Sequence, residues 1–366
     1  MQFMPAEVSQ HMANIAVPRG HTRHDVEREA AGLEQSSCET GATFERRFAV
    51  GHGPVGEIAA SGSTVVVANF ADDTVSLFDA ATLAPTATIA VDGEPVAVVA
   101  ADERVYVSVA SQGHDAVSVI DVESRAVVAT YPLASGVTAL AVSPDGKRVY
   151  AGRSAGQRVE LSVIDTTAER VGTIDIGSGP AANIDAVRVD PSAKQIYVAV
   201  TDEQGSQLVV VDAETTRVSR VIPVGAPIRD IAYGGDAVFV LTSDRAVGGA
   251  VYVVDLATHR VSDFVALGGA PTQLSLSPDE ARAYVVDYDR VTVVCALSLD
   301  ILDTLKVDAR PSCVAHRVDG SQLFIADYSG AVNGFSVEST LEDLYLQFLT
   351  TDAIALSVPS LQPVTA

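Results

Sequence analysis

The chain of 366 residues has no tryptophan, three cysteines and little lysine beside its arginine. Each shortage excludes something. Cys38, Cys295 and Cys313 are odd in number and irregularly spaced, which fits neither a disulfide framework nor a zinc cluster. No apolar run approaches the roughly 18 residues that a membrane-spanning helix needs. A net charge of −23 with no basic stripe repels phosphate backbones, so nucleic acid is not an expected partner. The start, MQFMPAEVSQHMANIAVPRG, lacks an apolar core behind a basic stretch, so no secretory signal is read and a cytoplasmic protein is expected. There is no H-E-x-x-H and no P-loop. His52, His114, His259 and His316 fall in different parts of the chain with no shared offset.

What the chain does have is one strand written many times. TVSLFD (74–79) returns as AVSVID (116–121), ELSVID (160–165), QLVVVD (207–212) and AVYVVD (250–255). The terminal Asp residues 79, 121, 165, 212 and 255 are 42, 44, 47 and 43 residues apart. Two further copies end in Cys295 and Ser336, after 40 and 41 residues, which makes seven. The Asp ends a strand and opens a turn, where its carboxylate is expected to accept the N–H two residues on. Each interval also holds an alternating strand after a Gly/Pro turn, such as Gly53-Pro54 or Ala226-Pro227. A second strand follows, of the type VYVSV or IYVAV, and an outer strand after the Asp turn. A tight hairpin such as Ser143-Pro144-Asp145-Gly146 joins the first two.

Four short antiparallel strands repeating every 40–47 residues make a propeller blade. The fold expected is therefore all-β, a seven-bladed β-propeller over residues 43–340. A flexible arm (1–42) precedes it and a tail (341–366) follows. The missing tryptophan excludes the WD40 type. The second-strand signature, the SPDG hairpin and the V-S-V-I-D strand closely resemble the YVTN family of β-propeller repeats over about residues 44–340. That resemblance implies the fold and leaves function open, because the family's repeat residues are structural.

Ring closure has two candidates. FERRFAVG (44–51) reads as an outer strand that precedes the first blade, so it would complete the last one. LEDLYLQFL (341–349) follows the last blade directly. The N-terminal segment is the one expected to close the ring and cover its open edge.

In such a blade the start of the first strand and the end of the second open on one mouth of the central channel. Most blades place small residues there. The exceptions are Glu57 in blade one, Asp185 in blade four, Arg229-Asp230 in blade five, Gln273 in blade six and Ser312-Cys313 in blade seven. Second strands end in Asn69-Phe70, Asp287-Tyr288 and Asp327-Tyr328 in three blades that a closed ring makes neighbours, with Arg310 nearby. Together these suggest a polar site for a small molecule, a cation or a peptide segment. The same Asp and Asn positions also fit strand-end caps, and the aromatics fit packing between blades. Asp287, Asp289 and Asp327 lack the local spacing of a calcium loop. Neither a metal nor a cofactor is expected. Three functions remain open: a non-enzymatic monomeric scaffold for a small polar ligand, a lactonase- or lyase-like enzyme using Arg229, Asp230, Glu57 and His52, and a protein-binding module. The third would use the long loops of blades three to five.

Overall fold

The computed structural model describes residues 41–338 apart from 102. The expected arm, save its last two residues, and the tail with 341–349 lie outside the described residues. Seven four-stranded antiparallel sheets account for all the strands described. Blade one runs from Val55 to Ala90, blade two from Glu94 to Leu133 and blade three from Val137 to Ser178. Blade four spans Asn183–Pro223, blade five Ile228–Gly268 and blade six Gln273–Leu305. Blade seven takes three strands from Pro311–Val337, and its fourth and outermost strand is the N-terminal Ala42–Ala49. That strand pairs antiparallel with Ala331–Val337, Ala42 opposite Val337 and Ala49 opposite Ala331.

Sequence pattern and burial agree strand by strand. The second and third strands of each blade are buried on both faces, which is why they read as unbroken apolar runs such as VVVA (65–68) and LVVV (208–211). Fourth strands have one side only to bury, and most of their residues are exposed, as in RVSRVIP (217–223). The core is divided among seven clusters, most of them formed between adjacent blades. One joins Val66, Val75 and Leu77 of blade one to Val98, Val105 and Val107 of blade two. The seam between blades seven and one packs Phe324 and Val332 against Val65 and Phe78, with Phe48 of the N-terminal strand 4.6 Å from the Phe78 ring. The second-strand tyrosines Tyr106, Tyr150, Tyr197 and Tyr284 are fully buried.

The repeated turns have specific local causes. In the hairpin at 143–146, Ser143 donates its hydroxyl to Asp145 at 2.6 Å, and Gly146 takes the left-handed φ of +66° that closes the turn. At the third-strand Asp the expected bond to the N–H two residues on forms at Asp165, from Thr167 at 3.0 Å, and at Asp212, from Glu214 at 3.1 Å, and a second, shorter set reaches one residue further. Asp79, Asp121, Asp212 and Asp255 each accept the N–H and the hydroxyl of the Thr or Ser three residues on, at 2.6–2.8 Å. The next residue then enters the left-handed region, Leu83 at +55° and His259 at +54° for example. The carboxylate thus gathers the turn over three residues before the outer strand begins. In blade six the Cys295 sulfur accepts the same N–H from Ser298 at 3.5 Å.

Candidate functional site: the central channel and its mouth

The channel is walled by two consecutive residues of every first strand, from Gly56-Glu57 in blade one to Ser312-Cys313 in blade seven. A β-bulge aims them inward. In six of the seven blades the register with the second strand shifts at this point, as between Ile228 and Asp230, which leaves Arg229 out of the ladder. The upper cavity holds about 220 Å³. A second cavity of about 320 Å³ continues it and shares Glu57, Arg188 and Gln273 with it, so these three form a polar waist.

A recurring hydrogen bond crosses from blade to blade at the second wall position. Glu57 Oε2 accepts the Val98 N–H at 2.9 Å, Asp230 Oδ2 the Leu274 N–H at 3.0 Å, and Gln273 Oε1 the Val314 N–H at 2.7 Å. In each case the donor is the equivalent backbone amide of the next blade. The Cys313 sulfur stands in the same relation to the Ile58 N–H. Blades two, three and four have Ala97, Ala139 and Ala186 at this position. These polar side chains therefore serve as inter-blade caps as well as channel lining.

Asp230 is buried. Its Oδ1 accepts from Arg188 Nη2 and from its neighbour's Ile231 N–H, both at 2.8 Å. Burial still raises its pKa, with Arg188 and the two backbone amides opposing. Glu57 keeps part of its surface against channel water but sits deep among the blades. Desolvation pushes its carboxyl up to about 7, against the pull of the Val98 amide and Arg188, with Asp230 adding to the rise. Burial also raises Asp185, opposed by hydrogen bonds from Thr201 and Asn183 and by the Arg229 charge. Desolvation pushes the buried Cys313 thiol up to about 12, which leaves it an unreactive neutral group.

The structure separates the expected site residues into three groups. Glu57, Asp185, Arg229, Asp230 and Gln273 come together on the upper channel wall. Arg310, Tyr288 and Tyr328 gather at an exposed spot, with the Arg310 guanidinium 4.5 Å from one ring centroid and 4.4 Å from the other. Asn69, Asp287 and Asp327 are instead turned into the blades. Asn69 Nδ2 donates to Thr74 and Ser76, and Asp287 Oδ1 caps the Ala270 and Tyr288 amides. Asp327, at 0% exposure, holds Ser329, Asn333 and Arg47 of the closing strand. Backbone capping accounts for Asp287 and Asp327, and side-chain bonds within blade one hold Asn69. His52 lies on the surface, where its Nδ1 pairs with Asp72 Oδ1 at 2.8 Å.

Arg188 is absent from the expected set and yet central to the waist. It sits two residues beyond the second wall position, where the other blades carry Ala59, Val99, Ala141, Ala232, Ser275 and Ala315. Extending the repeat comparison by those two residues would have singled it out.

A closed ring of seven blades around a carboxylate- and arginine-lined channel defines the class, a seven-bladed β-propeller. No family model matches the chain. It is 51% identical over 320 residues to a seven-bladed beta-propeller protein of Mycolicibacterium smegmatis, across 86% of this chain and 87% of the relative. It is 36% identical over 338 residues to the seven-bladed beta-propeller protein Rv1057 of Mycobacterium tuberculosis, across 81% and 86%. The chain belongs to this family of mycobacterial seven-bladed β-propeller proteins. Hydrazine synthase of Kuenenia stuttgartiensis superposes with a TM-score of 0.69 over 84% of this chain and 99% of that one. At 19% identity that likeness is one of fold alone. No helix among the described residues is long and apolar enough to cross a membrane.

Proposed function

We propose that this propeller is a non-enzymatic binding scaffold that takes a small polar ligand with an anionic group at the upper mouth of its channel. One observation carries the reading. Arg229 lines the upper cavity, is exposed, and has no carboxylate within ion-pair distance among the described residues. Arg188, the other guanidinium on that wall, is already tied to Asp230. An exposed guanidinium with no ion-pair partner keeps its donors free on the channel wall, and an anionic ligand would fill them with charge-assisted bonds. The blades themselves we regard as YVTN-type repeats, on the second-strand and hairpin motifs.

The test is a thermal-shift screen of small metabolite anions with wild type and Arg229→Ala. Arg229→Ala is expected to melt within about a degree or two of wild type, because no internal pair is broken. It should also lose the shift given by any anionic hit. A strongly destabilised variant, or a hit that survives the substitution, would refute the assignment. The Glu57 carboxyl, held near pH 7 beside the same cavity, favours a second reading, a lyase- or lactonase-like enzyme with Glu57 as proton acceptor. Turnover of a hit that disappears in Glu57→Gln would select it over the scaffold.

A further inference from the structure

Three residues from two neighbouring blades build an unusual group outside the channel. Arg310 immediately precedes Pro311, the first residue of the inner strand of blade seven. Tyr288 and Tyr328 follow the Asp residues at the ends of the second strands of blades six and seven. Backbone bonds fix both tyrosines. The Tyr328 N–H donates to the Arg310 carbonyl at 2.9 Å, and the Tyr288 N–H to Asp287 Oδ1 at 2.7 Å. The two rings then cover the guanidinium at 4.4–4.5 Å. Tyr288 is 63% exposed and Tyr328 44%, so this is a surface feature and not core packing.

A guanidinium held over two aromatic rings still carries N–H donors that the rings do not satisfy. Among the described residues none accepts a hydrogen bond from the Arg310 side chain, and no carboxylate lies within ion-pair distance of it. The acids nearby in sequence are engaged elsewhere. Arg47 holds Asp308 at 3.0 Å and Asp327 at 3.1 Å, and Arg290 stands 3.6 Å from Asp287 and 3.9 Å from Asp289. What remains is a planar donor fork, placed over two rings, with no acceptor among the described residues. Such a fork matches two oxygens of a carboxylate or phosphate in one plane, and its fixed position lowers the entropy lost on binding. With a net charge of −23 the chain offers anions no general attraction, so affinity has to come from this local geometry.

We propose that Tyr288, Arg310 and Tyr328 form a second ligand site, separate from the channel wall, that binds an oxyanion through the edge of the Arg310 guanidinium. The tyrosines place the cation through its contacts with both rings. Arg229 takes no part, so this site stands or falls independently of the channel reading.

The experiment titrates the full chain with inorganic phosphate, and in a separate arm with glutarate, at constant ionic strength by calorimetry. Saturable binding is expected in at least one arm, and the tighter arm identifies the source as a phosphate or a carboxylate. Arg310→Lys keeps the charge and loses the fork, and should weaken binding by about tenfold or more. A Tyr288→Leu, Tyr328→Leu double variant should weaken it severalfold, whereas Arg229→Ala should leave it unchanged. Absence of saturable binding of either anion by wild type would overturn the proposal, as would wild-type affinity in Arg310→Lys. Should the Arg310 variant fail to fold, the double tyrosine variant decides alone, and undiminished affinity there overturns the proposal.

Discussion

Replacing Glu57 by Gln should make the protein more stable at alkaline pH. The Glu57 carboxyl rises from an ordinary 4.5 to about 7 in the fold, chiefly because burial disfavours its charge. The folded state therefore holds a proton that the unfolded chain releases. Its stabilising contribution is complete below pH 4.5 and is lost as pH climbs through 7. At about 1.4 kcal/mol per tenfold, the span from 4.5 to about 7 sets an upper limit of about 3 kcal/mol on the penalty above pH 7. Channel water touching Glu57 reduces it, and a figure of about 1–2 kcal/mol is expected. Gln removes the charge and keeps an oxygen for the Val98 amide, as Gln273 does for Val314 one blade before the seam. Asp230 also has a raised pKa, but it is present in both proteins and drops out of the difference to first order. Urea unfolding of wild type and Glu57→Gln at pH 5 and pH 8 measures the effect. The stability gap in favour of Gln should widen by about 1–2 kcal/mol between the two pH values. A gap that does not change with pH, or a wild type that is the more stable at pH 8, would show that attraction to Arg188 outweighs desolvation and would refute the reasoning.

Three further perturbations test the waist and the closing strand. Asp230→Ala strips the acceptor from Arg188 and from the Leu274 and Ile231 amides, and should cost about 2–4 kcal/mol in urea unfolding. Adding Arg188→Met should recover part of that loss, and a double variant no better than Asp230→Ala would show that the pair is not coupled. Phe48→Ala should cost about 1–2 kcal/mol, because Phe48 is only partly buried against Phe78. Deleting residues through 51 should expose the Ala331–Val337 edge and cause aggregation, visible by light scattering, and a monomeric truncated chain with wild-type melting would contradict the closure role of the N-terminal strand.

The blade repeat was legible because its causes are local. A strand buried on both faces must be apolar throughout, a turn that re-enters an antiparallel partner needs Asp, Ser, Gly or a left-handed residue, and both recur at one spacing. The unpaired outer strand at 44–51 was legible too, because counting strands leaves the last blade one short. The Asp turn was legible in part: Asp165 and Asp212 accept the N–H two residues on, while the Thr or Ser clasp three residues on, as at Asp79 and Asp121, shows only in the folded turn. Asn69, Asp287 and Asp327 look in the sequence like the polar half of a surface site. Whether a strand-end acid faces solvent or is drawn into the blade depends on neighbours as distant in sequence as Arg47 is from Asp327.

By itself the sequence determined the number of blades, their strand order and most of the wall positions, Arg188 excepted, since repeat spacing and two-residue alternation are properties of a chain with its neighbours in sequence. Only the tertiary structure decided what those axial residues do. Arg188 meets Asp230, Glu57 reaches Val98, and Tyr288 closes with Tyr328 over Arg310 because separate blades converge around one channel and its mouth. Contacts across 40 or more residues carry no local signal. The charge state of Glu57 is of the same kind, since it is set by desolvation that exists only once the blades have closed around it.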